Sequence, residues 1–195
     1  MSEDKQSLKA EVRKSCLSKR ATLGEKERNH KSKIIQQTIQ NLPEYQQAQV
    51  VMLFLNFREE VETTALAETT IALNKKLILP RCAPHGIMLP LEVRDLAVDI
   101  EPGAWGIREP KLKNAETDPS EIDLIIVPGA GFDLGGDRLG YGGGFYDRFF
   151  MRLNPLTPKV AIGFECQVIE KVPVDKHDAK MTMLITENNI YDFRI

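Results

Sequence analysis

The chain has 195 residues, 42% of them hydrophobic and 28% charged, which is ordinary for a globular protein long enough to bury a substantial core. This excludes disordered, collagenous and disulfide-scaffold classes. With 26 basic against 28 acidic residues the formal net charge is -2, so no global basic field supports a dedicated nucleic-acid binder. In chain order, Leu8, Val12 and Cys16 recur every four residues, as one face of a helix does. Thr22 followed by Glu25 matches a capping box, opening a second helix that carries Ile34, Ile35, Thr38 and Ile39 and stops before Pro43. Residues 49–57 (QVVMLFLNF) read as a buried strand, 63–74 as a helix, and 76–80 and 87–93 as short strands. Residues 123–127 (DLIIV) form the clearest buried-strand pattern and end at Pro128 and Gly129. Phe145, Phe149 and Leu153 return to helical spacing, 159–164 is another strand and 183–186 a last one.

Strands that are apolar throughout and alternate with helices predict an α/β fold: one domain over 1–195, with a mainly parallel central sheet and helices on both faces. Ligands bind such sheets at the carboxyl ends of the strands. Cys16, Cys82 and Cys166 are far apart and make no C-x-x-C pair, so free thiols are expected. Residues 1–19 are densely charged without an apolar stretch, and the longest apolar run, 50–55, is far too short to span a bilayer. A cytoplasmic location and no membrane partner are expected.

Eight of the 13 glycines fall between Gly129 and Gly144, directly after the DLIIV pattern. Glycines leave backbone N–H groups uncovered, and successive N–H groups ahead of a helix N-terminus make an anion nest. Arg138 inside the segment adds a cation suited to phosphate. The plain alternative is a ligand-free hairpin or Ω-loop. The segment is not a Walker A, because the chain has no Gly-Lys pair, and both G-x-G-x-x-G registers fail, at Leu134 and Phe145. Asp147 falls in the first turn of the next helix, either as a dipole partner or as a magnesium ligand beside phosphate. Asp178 is the best second carboxylate, with Asp133, Asp137 and Asp175 as competitors. His177 reads as a supporting residue.

The run PGxGFDxxGxRLGYGGGFYDR, residues 128–148, resembles the signature of the 5-formyltetrahydrofolate cyclo-ligases, also called methenyltetrahydrofolate synthetases. The likeness extends over nearly the whole chain: Lys9 and Arg13 as K-x-x-x-R, residues 54–63 (FLNFREEVET), Pro80-Arg81, Trp105-Gly106-Ile107, and Val172-Pro173 followed by His177-Asp178. The resemblance implies a scaffold like that of sugar-phosphate isomerases and CoA-transferases. It implies ATP-dependent, magnesium-assisted cyclisation of 5-formyltetrahydrofolate, the folate carrying one or several glutamates, to 5,10-methenyltetrahydrofolate.

It also implies roles by position. Lys9, Ala10, Glu11, Val12 and Arg13, with Arg138, Leu139, Gly140, Tyr141, Gly142, Gly143, Gly144, Phe145 and Tyr146, would line the ATP site. Arg13, Leu55, Glu60, Trp105, Tyr141, Gly142, Gly143, Gly144 and Phe145 would meet the folate. Asp147 and Asp178 would hold magnesium, and Lys9, Arg13 and Arg138 would be the catalytic cations.

The residues themselves leave alternatives. Lys9 and Arg13 share a helix face that is either a phosphate clamp or a solvated basic stripe. Glu60 is a pterin N–H acceptor or a surface charge. Leu55 has the periodicity of a core residue, and Trp105 stacks on a ring or plugs the core. Tyr141, Phe145 and Tyr146 pack on a ligand or anchor the loop. Phe145 replaces a tyrosine frequent in the family, and Thr182 replaces an aspartate. The rival readings are a sugar-phosphate isomerase or acyl-CoA transferase without ATP, and a non-catalytic nucleotide or folate sensor.

Overall fold

A computed structural model describes residues 3–103, 106–176 and 178–194. Its largest element is a seven-stranded sheet. The strands are β1 (Val50–Met52), β2 (Lys76–Ala83), β3 (Ile87–Val93), β6 (Leu124–Val127), β9 (Lys159–Ile162), β11 (Met183–Ile185) and β12 (Ile190–Asp192), in the order β12-β11-β9-β6-β1-β2-β3. The five inner strands run parallel; the edge strands β12 and β3 pair antiparallel with their neighbours. The expected mainly parallel α/β sheet is therefore present. Two further short sheets consist of β4 (Ile100–Pro102) with β5 (Arg108–Pro110), and of β7 (Gly131–Asp133) between β8 (Arg138–Leu139) and β10 (Val168–Ile169).

Alternate residues of the central strands feed two cores. Val51, Leu124, Ile126 and Val160 meet Ile35 and Ile39 of α2 (Glu25–Asn41) and Leu66 of α4 (Thr64–Ala72). Met52, Ile125, Val127 and Ala161 meet Phe149 and Phe150 of α5 (Phe145–Phe150) on the opposite face. Strands covered on both faces have no polar side to show, which is why they read as continuous apolar runs. Among the described residues no helix is long and apolar enough to cross a membrane.

Several local expectations change. The first helix, α1 (Glu3–Ala21), buries Cys16 but leaves Leu8 48% exposed, because its inward face carries Lys9, Arg13, Cys16 and Arg20 and meets polar partners. Thr22 is no capping box: its hydroxyl donates back to the Lys19 carbonyl, and Gly24 caps α2 without a side-chain bond. A short helix, α3 (Pro43–Gln47), starts where α2 stops. The strand expected over 49–57 pairs only at 50–52. Beyond it the buried Thr63 takes the backbone groups a partner strand would: its hydroxyl donates to the Phe54 carbonyl and accepts the Asn56 N–H.

The expected loop between 128 and 144 contains the β7–β8 hairpin. Asp133 closes it, its Oδ1 accepting the N–H groups of Gly135 (2.8 Å) and Asp137 (3.1 Å) and its Oδ2 that of Val172 (2.9 Å). Asp137 pairs with Lys171 and Lys180. Two of the three competing carboxylates are thereby committed to structure. Burial opposes the charge of Asp133, but the three backbone donors outweigh it and hold the carboxyl below its ordinary value. A depressed carboxyl stabilises the fold above the unfolded-chain value of about 4, and that contribution is lost as pH falls through the folded value. Asp133→Asn should cost about 2 kcal/mol at pH 7 and flatten the fall in stability below about pH 4, as read by urea unfolding across pH.

Candidate active site

Strand order reverses between β1 and β6: later strands are added beside β2 on one side and beside β9 on the other. The two chain segments leaving these neighbours therefore diverge and open a crevice, the standard ligand position in such sheets. From β1 come Phe54, Leu55, Phe57 and Glu60; from β6 come Pro128 and, through the hairpin, Arg138, Gly140, Tyr141 and residues 143–147. With Leu79, Pro80, Cys82 and Met88 of the β2–β3 hairpin, and Ile107 to Glu109 around β5, they line a largely apolar cavity of about 400 Å³. That lies in the size range of small-molecule sites.

The glycine segment lies against α1. A side chain at Gly131 would put its Cβ 2.8 Å from Cys16 Sγ, so only glycine permits this approach. Gly142 sits at φ +100°, where other residues are strained, and its Cα side faces the Arg13 guanidinium. Arg13 Nε donates to the Gly140 carbonyl at 2.8 Å. The helix after the glycines has only six residues, so its dipole is small.

Charged groups gather in pairs. Lys9 Nζ lies 2.7 Å from Asp175 and 2.6 Å from Asp178, and Lys5 also reaches Asp175. Burial opposes the Lys9 charge, but the two carboxylates outweigh it and hold the ammonium above its ordinary value. Arg138 is buried, 3.3 Å from Asp147, with its guanidinium over the Tyr146 ring; its Nε has no partner among the described residues. The Ala179 N–H points at Asp147 from 3.5 Å, which ties the Asp178 turn to the Asp147 helix. Of the four carboxylates weighed from sequence beside Asp147, only Asp178 and Asp175 stand at this end of the crevice.

Glu60 ends the cavity. Its Oε1 accepts the Tyr141 hydroxyl at 2.5 Å and its Oε2 the Phe57 N–H at 2.8 Å. Burial raises its carboxyl, and these bonds pull it back. Burial also raises the Tyr141 and Tyr146 phenols, with the Glu60 charge adding to it, so both remain O–H donors.

Of the residues named from sequence, Leu55, Glu60, Arg138, Gly140, Tyr141, Gly143, Gly144, Phe145, Tyr146 and Asp147 line the cavity together. Lys9, Arg13 and Gly142 stand beside it. Ala10 and Glu11 are exposed on α1, Val12 is half-buried, and Leu139 points into the core. Trp105 and His177 lie outside the described residues. Sequence reasoning missed Arg20 and Glu109. Arg20 was within reach, since it continues the 9-13-16 helical spacing; the buried Glu109, which accepts the Cys82 N–H at 3.2 Å, carries no such signal.

Comparison with known proteins gives a consistent result. The family model described as "5-formyltetrahydrofolate cyclo-ligase family" matches residues 5–187. A Haemophilus influenzae protein named 5-formyltetrahydrofolate cyclo-ligase is 32% identical, over 91% of this chain and 94% of its own length. The mouse protein of the same name is 28% identical, over 95% and 94%. The structure of 5,10-methenyltetrahydrofolate synthetase from Aquifex aeolicus superposes with a TM-score of 0.86 at 35% identity, covering 96% of this chain and 94% of that one.

Cys82 gives the cavity wall a chemical probe. Burial and the adjacent Glu109 push its thiol up to about 11. The thiolate is the reactive form. In the folded protein Cys82 should resist iodoacetamide at pH 8, and its labelling should climb as pH approaches 11. Mass spectrometry of the alkylated peptides reads this, and full labelling at pH 8 would contradict it.

Proposed function

The chain belongs to the 5-formyltetrahydrofolate cyclo-ligase family, and on that premise we propose that the switch-point crevice converts 5-formyltetrahydrofolate and ATP into 5,10-methenyltetrahydrofolate, ADP and phosphate. The observation that carries the reading is the junction of two unlike surfaces. An apolar cavity ending in Glu60 meets a rim where Arg13, Arg138 and the glycine amides stand beside Asp147 and Asp178. The first surface suits a flat pterin with N–H donors, the second a polyphosphate.

A formamide oxygen is a poor leaving group, so ring closure needs activation. In this reading the formyl oxygen attacks the γ-phosphorus of ATP, the bond to the β-phosphate oxygen breaks and ADP leaves. N10 of the folate then attacks the activated carbon of the iminium phosphate, the C–O bond breaks to release phosphate, and N10 gives up its proton. No covalent protein nucleophile is required; the protein supplies position and charge. Leu55, Phe145 and Tyr146 hold the pterin in an apolar slot, and Glu60 accepts its N–H groups. Arg13 and Arg138 lie where charge develops on the transferring phosphoryl group, with Lys9 behind them.

Asp147 and Asp178 fit a hard divalent cation such as magnesium. Both are carboxylates, they are joined through the Ala179 turn, and each is neutralised here by a side-chain cation, Arg138 and Lys9. Magnesium bound there would screen the phosphate charge. The reading includes a cytoplasmic location and a folate with one or several glutamates.

The direct test follows the absorbance of the methenyl product with and without Mg-ATP. Product that requires Mg-ATP supports the reading; binding without turnover, or binding of neither ligand, overturns it. Arg138→Ala should lower turnover roughly a hundredfold, the scale of losing one oriented charge stabiliser. Asp147→Ala should shift the magnesium dependence of nucleotide binding to higher concentration in a calorimetric titration, and an unchanged titration would place the metal elsewhere.

A further inference from the structure

Arg20 has no part in the chemistry above, yet it is only 5% exposed and points at the folate end of the crevice. One guanidinium nitrogen donates to the Tyr141 hydroxyl at 2.8 Å, and the guanidinium carbon stands 5.9 Å from the centroid of that ring. A second nitrogen is 3.9 Å from Glu59, and Nε has no partner among the described residues. The Tyr141 hydroxyl in turn donates to Glu60.

The direction of this chain is dictated by chemistry. A phenol can donate or accept, but a guanidinium can only donate. Arg20 therefore makes the Tyr141 oxygen an acceptor and turns its hydrogen toward Glu60. The Phe57 N–H holds the other carboxylate oxygen. An ionised carboxylate has about four lone-pair sites, so with two filled by the protein, two remain for ligand donors. A carboxylate clamped at both oxygens loses little freedom when the ligand arrives.

The geometry points to Arg20 as a positioning residue for the folate: acting through the Tyr141 hydroxyl, it holds the Glu60 carboxylate in the orientation that receives the pterin N–H groups. The inference rests on reading the cavity as the folate site. It divides the inward face of α1 by task, with Lys9 and Arg13 at the phosphate end and Arg20 at the pterin end. Burial works against the Glu60 charge, and the Tyr141 bond and the Arg20 charge offset it in the same sense as the positioning.

Steady-state kinetics with both substrates tests this. Tyr141→Phe removes only the bridging hydroxyl and leaves the buried cation in place. Arg20→Gln removes the charge, and Arg20→Lys restores it without the fork. In Tyr141→Phe and Arg20→Gln the KM for folate should rise about tenfold, the scale of one charge-assisted hydrogen bond, and in Arg20→Gln the KM for ATP should stay at the wild-type value. The double variant should be no worse than the poorer single one, because both break the same chain. Arg20→Lys should recover part of the folate affinity. An unchanged folate KM in Tyr141→Phe, additive losses in the double variant, or an equal rise in both KM values in Arg20→Gln would each overturn the inference. A wild-type protein that makes no methenyl product with Mg-ATP would overturn the proposed function itself, which is a different result from an active wild type with a neutral Tyr141→Phe.

Discussion

The parallel pairing of β1 with β6 is the constraint from which the rest of the site follows. Val51 lies opposite Leu124 and Met52 opposite Ile125. Adjacent residues in both strands feed opposite cores, so a slip of one residue would send each side chain to the wrong layer. That register places the exits of the two strands side by side, and strand order reverses between them. The crevice is thus a consequence of core packing, and many of the residues that line it are those that follow the two buried strands.

The helix α1 docks beside the crevice in an unusual way. Its inward face is not an apolar stripe; Cys16 is the single apolar side chain fully buried between Lys9, Arg13 and Arg20. Each cation meets an acceptor on the facing chain: Asp175 and Asp178, the Gly140 carbonyl, and Tyr141. Unpaired buried cations would be costly, so the helix docks only where the partner chain supplies matching oxygens. The absence of a side chain at Gly131 lets the helix come close enough for those bonds to form.

The parts of the fold that bury apolar surface on both sides were legible in the sequence, because continuous β-branched runs such as LIIV have few other uses. The glycine segment was legible as part of the crevice wall for its composition and its place after β6, and Arg138 and Asp147 for their place within it. What was not legible depends on groups far apart in sequence. Leu8 looked buried because apolar spacing was the only signal, whereas the true face is polar and recognisable only from its partners. Thr22 fitted a capping pattern that a carbonyl three residues back took instead. Asp133 and Asp137 resembled metal ligands until the β7–β8 turn absorbed one and two lysines the other. Glu109 had no local pattern to mark it.

The ion pairs that anchor α1 have a kinetic side. Lys9 is separated from Asp175 by 166 residues and from Asp178 by 169, while the central strand β1 waits more than 70 residues for β6. Closing such long loops is entropically slow and comes late in folding. Helix α1 is therefore among the last elements to find its seat, and until the segment bearing both aspartates has emerged, Lys9 lacks the two carboxylates that pair with it. The edge where Lys9 meets Asp175 and Asp178 is thus completed late, after the β1–β6 pairing that opens the crevice beside it.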